Sequence, residues 1–183
     1  MDCWTRDSGP KQAMPVAQRR SIDVVARAAG PKPGERVQFA ALPVRLDANG
    51  SVEVLLLTSR ETKRWIIPKG WPMKGRKPWE AAAQEALEEA GIVGRPSTRP
   101  IGSYLYFKRQ AAHFDLCRVE VYLLEFEKQL KTWREKGQRE AKWFDLNEAA
   151  MLVEEPGLIS ILQKFDAKAL GEAPPKTGNS KWP

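Results

Sequence analysis

The stretch that decides the fold reads GWPMKGRKPWEAAAQEALEEAGI and spans residues 70–92. A glycine-containing basic loop runs into a segment that we predict to be a short helix. Glu85, Glu88 and Glu89 stand at positions i, i+3 and i+4, which lie on one helix face. Like charges on one face repel, and a bound divalent cation would remove this cost because Mg²⁺ and Mn²⁺ prefer hard oxygen ligands.

The other face of the predicted helix carries small residues, which would let the helix lie close against a sheet: Ala82, Ala83, Ala86, Leu87 and Ala90. Gly91 stands where a left-handed C-cap is expected. Glu80, in the first turn, is expected to support the helix N-terminus rather than to bind metal.

An ordinary surface helix with a solvated acidic face is the alternative interpretation of these glutamates. The preceding run favours a site instead, since residues 65–70 are a short apolar strand that ends in a Pro/Gly turn. The loop brings four cations beside the acidic helix: Lys69, Lys74, Arg76 and Lys77. Carboxylates that hold a metal, next to cations that hold an anion, predict a site for a metal-bridged phosphate.

The same stretch resembles the Nudix box, whose pattern is G-x5-E-x7-R-E-U-x-E-E-x-G-U with U a bulky aliphatic residue. The positions in register are Gly70, Glu85, Glu88, Glu89, Gly91 and Ile92. Ala86 occupies a U position but is small. Arg76 replaces the first glutamate and Gln84 replaces the arginine, which we interpret as a swapped supporting pair. The flanking runs 64–72 and 137–144 look like the branch that includes diphosphoinositol polyphosphate and dinucleoside polyphosphate phosphohydrolases.

The resemblance implies an α/β/α sandwich with a mixed sheet between helices, and a hydrolase that cleaves a pyrophosphate bond with Mg²⁺, or alternatively Mn²⁺. It implies that Glu85 and Glu89 bind the metal, with a carbonyl ligand from Gly70. Glu88 is then the predicted general base, in a role shared with Glu89. Diphosphoinositol and dinucleoside polyphosphates are the favoured substrates, and RNA is a less favoured partner.

The pattern of the remaining chain indicates an α/β architecture by itself. Strands are expected at 36–46, 52–58, 65–67, 101–108, 114–127 and 141–144, with residues 94–100 as a connector. Asp145 and Glu148 form a capping box that opens a C-terminal helical region, interrupted at Pro156–Gly157. We expect residues 1–35 to be a partly helical or disordered extension, 36–168 to be the catalytic domain, and 169–183 to be a loose tail.

Composition limits the classes of function. The formal net charge of +7 favours anionic partners, although a basic surface also aids solubility. One histidine and two cysteines are too few for a usual zinc site, and Cys117 is expected to be a buried free thiol. No apolar run reaches the roughly 20 residues of a membrane span, and the N-terminus has no signal-peptide core. A cytoplasmic monomer or homodimer is therefore expected.

Candidate phosphate-binding residues are Arg45, Arg60, Lys69 and Arg139, although residues of this kind are more often solvated surface cations. Trp65 and Trp71 flank the basic loop and could stack on a base or pack in the core. A second hypothesis is a non-catalytic module that binds an anionic nucleotide or RNA. Arg76 and Gln84 favour it, whereas the three glutamates oppose it.

Overall fold

The computed structural model describes residues 35–166 and residue 170. The expectations for residues 1–34, for Cys3 and for nearly all of the C-terminal tail lie outside the described residues. The described chain folds into these strands and helices: β1 (Arg36–Leu46), β2 (Val52–Thr58), β3 (Trp65–Ile66), β4 (Lys69–Gly70), α1 (Pro78–Ala90), β5 (Ile92–Arg109), β6 (Phe114–Gln129), β7 (Ala141–Asp145), α2 (Leu146–Leu152) and α3 (Pro156–Gln163).

One mixed sheet organises these elements. Its main order is β3-β2-β1-β6-β5, with β4 added to β1 and β7 added to β2. Strands β1 and β6 run parallel from Arg36 opposite Cys117 to Val44 opposite Glu125, and the other pairs are antiparallel. The mixed sheet expected from the sequence is therefore confirmed.

Strand alternation divides the core into two layers, since successive side chains point to opposite faces. On one face Leu42, Leu56 and Val121 pack with α2 and α3. On the other face Leu55 and Tyr122 pack against the alanines of α1. Apolar side chains cover both faces of the central strands, which gives the α/β/α sandwich.

Helix α1 begins and ends as its sequence suggests. Glu80 Oε2 accepts a hydrogen bond from the Lys77 backbone N–H at 2.9 Å, which satisfies a donor at the helix N-terminus. Gly91 closes the helix at φ 71°, with its N–H directed to the carbonyls of Ala86 and Leu87. Ala81 on the packed face and Glu89 on the acidic face are buried, whereas Leu87, which was expected on the packed face, is only half-buried.

Residues 94–100 are not a connector, because β5 runs through them and pairs with β6 in spite of Pro96 and Pro100. The register shifts at these prolines. Strand β5 pairs only with β6 among the named strands. A proline, which has no N–H, can therefore face the free edge of the sheet without removing a hydrogen bond from the ladder. Cys117 is buried and free, as expected. None of the helices in the described chain is long and apolar enough to cross a membrane.

Candidate active site

The carboxylate of Glu85 lies against the backbone of Gly70, where α1 meets β4. A Cβ atom added to Gly70 would stand 1.9 Å from Glu85 Oε1, so only glycine leaves room for this approach. Burial, together with the charges of Glu89, Glu88 and Glu135, raises the pKa of Glu85 to about 7. Glu85 forms no salt bridge in the described part of the chain. Ionisation of the Glu85 carboxyl is therefore unfavourable, because the group is buried and lies among like charges.

The carboxylate of Glu89 is buried and held from two sides. Its Oε1 accepts a hydrogen bond from Arg139 Nη2 at 2.6 Å. Its Oε2 accepts from the backbone N–H of Lys69 at 3.3 Å. Burial raises the pKa of Glu89, while Arg139 and Lys69 lower it. These contacts fix the orientation of the carboxylate.

The side chain of Glu88 is more exposed than that of Glu89, and it faces the loop after β6. Its Oε1 accepts from Gln84 Nε2 at 2.8 Å, and its Oε2 forms a salt bridge with Arg134. Gln84, at the position where the box pattern has arginine, therefore supports a glutamate of the same helix one turn away.

The segment 130–140 closes over the acidic face of α1 and contributes residues that the sequence did not predict for the site. The backbone N–H of Glu135 donates to the Glu88 carbonyl at 3.0 Å, and the Trp133 ring covers Gly91. Arg134 reaches Glu88, while Glu135 Oε2 accepts from Arg139 Nε at 2.9 Å. The only feature of this segment in the sequence is a run of charged residues around Trp133. Such a run does not indicate which helix or strand the segment contacts.

The predicted phosphate-binding residues divide into two groups. The Arg139 guanidinium contacts Glu89, and Arg60 lies 3.7 Å from Glu135. Lys69 contacts Glu89 through its backbone N–H, while its ammonium lies 5.7 Å from the centroid of the Tyr106 ring. Arg45 is placed elsewhere: it pairs with Glu53 at 2.7 Å and stacks on the Trp143 ring. The structure therefore brings three of the four candidates together, and their contact with phosphate stays a prediction.

The two tryptophans beside the loop occupy different surroundings. Trp65 packs edge-on against Phe144 with ring centroids 5.0 Å apart, so part of its surface belongs to the core. Trp71 lies between the cations of Arg36 and Lys108, at 4.2 and 4.8 Å from the ring centroid. A stacking role for either ring stays a prediction.

The oxygen atoms at this site are chemically suited to bind a hard divalent cation. Glu85 offers oxygens next to the Gly70 backbone, and the crowding of like charge there would be relieved by a cation. Within the described residues, no three histidine, cysteine, aspartate or glutamate side chains form a ready metal-binding group. Glu88 and Glu89 are instead shared with arginines, so a metal would have to share their oxygens with Arg134 and Arg139.

The comparison with protein families agrees with this geometry. The model of the NUDIX domain matches residues 35–165, which is most of the chain and contains every site residue described above. The chain belongs to the Nudix family. Helix α1 with its preceding loop is the Nudix box, and Gly70, Glu85, Glu88 and Glu89 are its residues in this protein.

Similar proteins are found in a plant and in an animal. Nudix hydrolase 13, mitochondrial, of Arabidopsis thaliana is 29% identical over 126 residues, which cover 66% of this chain and 62% of that protein. Diphosphoinositol polyphosphate phosphohydrolase 3-beta of Bos taurus is 32% identical over 136 residues, covering 72% of this chain and 77% of that protein. The chain spans 62% and 61% of the length of Arabidopsis thaliana Nudix hydrolases 13 and 12, respectively.

Among solved structures, a binary complex of the C. elegans Ap4A hydrolase superposes with a TM-score of 0.55 at 25% identity. The match covers 74% of this chain and 98% of that chain. The shared architecture confirms the Nudix sandwich expected from the sequence.

Proposed function

We propose that this protein is a Mg²⁺-dependent hydrolase that cleaves a pyrophosphate bond in a small polyphosphorylated molecule, a diphosphoinositol polyphosphate or a dinucleoside polyphosphate. The observation that carries the proposal is the pairing of Glu85 with Gly70, inside a Nudix box whose other acidic residues are buried or hydrogen-bonded beside it. The names of the bovine relative and of the C. elegans structure support the two substrate classes.

Glu85, Glu89 and the carbonyl of Gly70 would hold the metal. When bound, a divalent ion neutralises phosphate oxygens and lowers the pKa of water. The chain itself orients Glu89, through Arg139 and the Lys69 N–H. Glu88 would take the proton of the attacking water, since it stands one residue from Glu89 at the edge of the cluster. The cations of Arg60, Lys69 and Arg139 would counter the charge of the leaving phosphate.

The deciding experiment is hydrolysis of a panel of diphosphoinositol and dinucleoside polyphosphates with Mg²⁺, Mn²⁺ or EDTA. We expect the protein to hydrolyse at least one class of substrate. This hydrolysis should require the metal, and Glu85→Gln should abolish it. Glu127→Gln is the matched control, because Glu127 is an exposed glutamate near the end of β6. Turnover that persists in Glu85→Gln would refute the proposal.

A second candidate is a non-catalytic Nudix module that binds an anionic nucleotide or RNA. The observation in its favour is that Glu88 and Glu89 form salt bridges with Arg134 and Arg139, and that Arg76 and Gln84 depart from the box. Metal-independent binding of a ligand together with no turnover on any member of the panel would favour this candidate. The cytoplasmic location and the monomeric or homodimeric state stay predictions.

A further inference from the structure

A cleft of about 440 Å³ adjoins the acidic cluster through Arg139, which lines the cleft and contacts Glu89. Its walls are the turn between β2 and β3 and the segment that leads into β7. Lys63 and Trp65 come from the first wall, and Gln138 and Arg139 come from the second. None of these side chains except Arg139 contacts a glutamate of α1 in the described structure, so the cleft is a separate space that shares one residue with the site.

The charge around the cleft favours an anion. Lys63 forms no salt bridge within the described residues, so its positive charge is uncompensated there. Glu140, the acidic residue of the lining, is neutralised by Lys142, whose Nζ lies 2.6 Å from Glu140 Oε1. Arg139 is already paired with Glu89 and Glu135, so it lines the cleft as a hydrogen-bond donor and not as an uncompensated cation. Gln138 adds a side chain that can also donate a hydrogen bond.

Hydrogen bonds hold the turn that carries Lys63 in place. Ser59 N–H donates to the Arg64 carbonyl at 2.8 Å, and the hydroxyls of Ser59 and Thr62 lie 2.6 Å apart. Lys63 itself has φ 57°, a left-handed conformation that costs a non-glycine residue about 1 kcal/mol. A turn closed by these hydrogen bonds holds the strained residue at the mouth of the cleft, and strained residues of this kind are concentrated at ligand sites.

Arg139 connects the cleft to the acidic cluster. Its guanidinium donates to Glu135, to the Thr58 carbonyl at 3.1 Å and to Glu89. A guanidinium has five N–H donors, so two remain after these three contacts. An anion in the cleft would therefore be held by the group that also orients Glu89.

We propose that this cleft is an anion subsite that takes a phosphoryl group of the substrate, bound by Lys63 and Arg139, while another phosphoryl group of the same molecule lies at the acidic cluster. The ligand class is a molecule with at least two phosphoryl groups. As a statement about a substrate this rests on the proposed function, but anion binding in the cleft can be tested without turnover.

The test is a titration of the full ¹⁵N-labelled chain with inorganic pyrophosphate in EDTA, followed by amide chemical shifts. We expect saturable shifts at Lys63, Gly137 and Gln138. Lys63→Asn removes the charge while asparagine tolerates a left-handed backbone, and we expect binding about tenfold weaker because one charge-assisted contact is lost. Lys63→Arg should bind like the wild type. Lys128→Asn, an exposed lysine of β6, is the matched control and should also bind like the wild type.

Shifts confined to other basic segments, such as residues 74–77, or an unchanged affinity in Lys63→Asn, would overturn the subsite. Thermal unfolding of each variant shows whether a loss of binding reflects a loss of folding, and restored binding in Lys63→Arg would exclude that cause. Because the titration contains no metal, a hydrolytically inactive protein could still show the subsite. An active enzyme without shifts in the cleft would refute the subsite alone.

Discussion

Arg139 Nη2 and Glu89 Oε1 lie 2.6 Å apart, although the residues are 50 positions apart in the chain. Both side chains are nearly inaccessible to solvent, with exposed fractions of 7% and 9%. The pair therefore fastens the segment before β7 to the last turn of the Nudix helix. It also means that the orientation of a predicted metal ligand depends on a residue that the box pattern does not include.

Removal of this arginine should destabilise the fold. Arg139→Gln leaves the buried Glu89 carboxylate without its cation, and breaking a buried ion pair from one side costs about 3 kcal/mol or more. Urea unfolding of the wild type and the variant measures the difference. Arg134→Gln is the comparison, since Arg134 is 74% exposed in its pair with Glu88 and surface pairs are worth at most about 1 kcal/mol. Equal losses of unfolding free energy in the two variants would show that the buried Arg139–Glu89 pair stabilises the fold no more than the surface pair does.

The pKa of Glu85 predicts how stability depends on pH in EDTA. Its pKa is about 7 in the folded protein against a usual 4.5, so folding disfavours the charged form. Below pH 4.5 the carboxyl is protonated in both states and folding has no penalty from it. The penalty appears as pH rises from 4.5 and is complete above about 7. The wild type should thus lose stability over this window relative to Glu85→Gln.

The measurement is the midpoint of thermal unfolding of both proteins between pH 4 and pH 8, in EDTA. Glu127→Gln serves as the control, and its curve should run parallel to that of the wild type. A difference between wild type and Glu85→Gln that stays constant across this range would contradict the raised pKa.

Gly70→Ala tests the close approach of the loop to the Nudix helix. The new Cβ would overlap the Glu85 carboxylate, with 1.9 Å to Oε1 and 2.1 Å to Cδ, so the carboxylate must move. We expect Mg²⁺ binding, measured by calorimetry, to weaken by at least about tenfold, as misplaced ligand geometry does in metal sites. The double variant Gly70→Ala/Glu85→Asp shortens the acid and should recover part of the affinity. Normal Mg²⁺ binding by Gly70→Ala would place the metal elsewhere.

The sequence predicts the layers of this fold better than it predicts the site. Leu55, Leu56 and Leu57 lie in one apolar run, which indicates a strand buried on both faces, and the structure has it so. The expectation of a connector at residues 94–100 was wrong. Proline removes donors from a strand ladder, but β5 lies at the edge of the sheet, where the prolines are acceptable.

Within the site, the box places three glutamates by local helix geometry, and such contacts can be predicted from spacing. The partners of these glutamates cannot. Arg134 and Arg139 come from a loop some 50 residues downstream, and nothing in their local sequence states that the loop folds over α1. The two-residue strand β4 was missed for a related reason, since it exists only through pairing with β1.

Substitutions of Glu88 and Glu89 by glutamine should affect kcat and Mg²⁺ affinity differently. Glu88 is predicted to act as the base, so Glu88→Gln should lower kcat by about 10² to 10⁴ while Mg²⁺ affinity stays near that of the wild type. Glu89 is predicted to bind metal and share the role of base, so Glu89→Gln should weaken Mg²⁺ binding as well. Steady-state kinetics across a Mg²⁺ titration, combined with calorimetry, separate the two effects.

The contacts support this division of roles. Glu89 is fixed by Arg139 and the Lys69 N–H, which suits a ligand that must not move. Glu88 is held by Gln84 and by the exposed Arg134, and its side chain is 24% exposed against 9% for Glu89. If Glu88→Gln retained full kcat while Glu89→Gln lost kcat at saturating Mg²⁺, the base would be Glu89, and the salt bridge with Arg134 would be the structural role of Glu88.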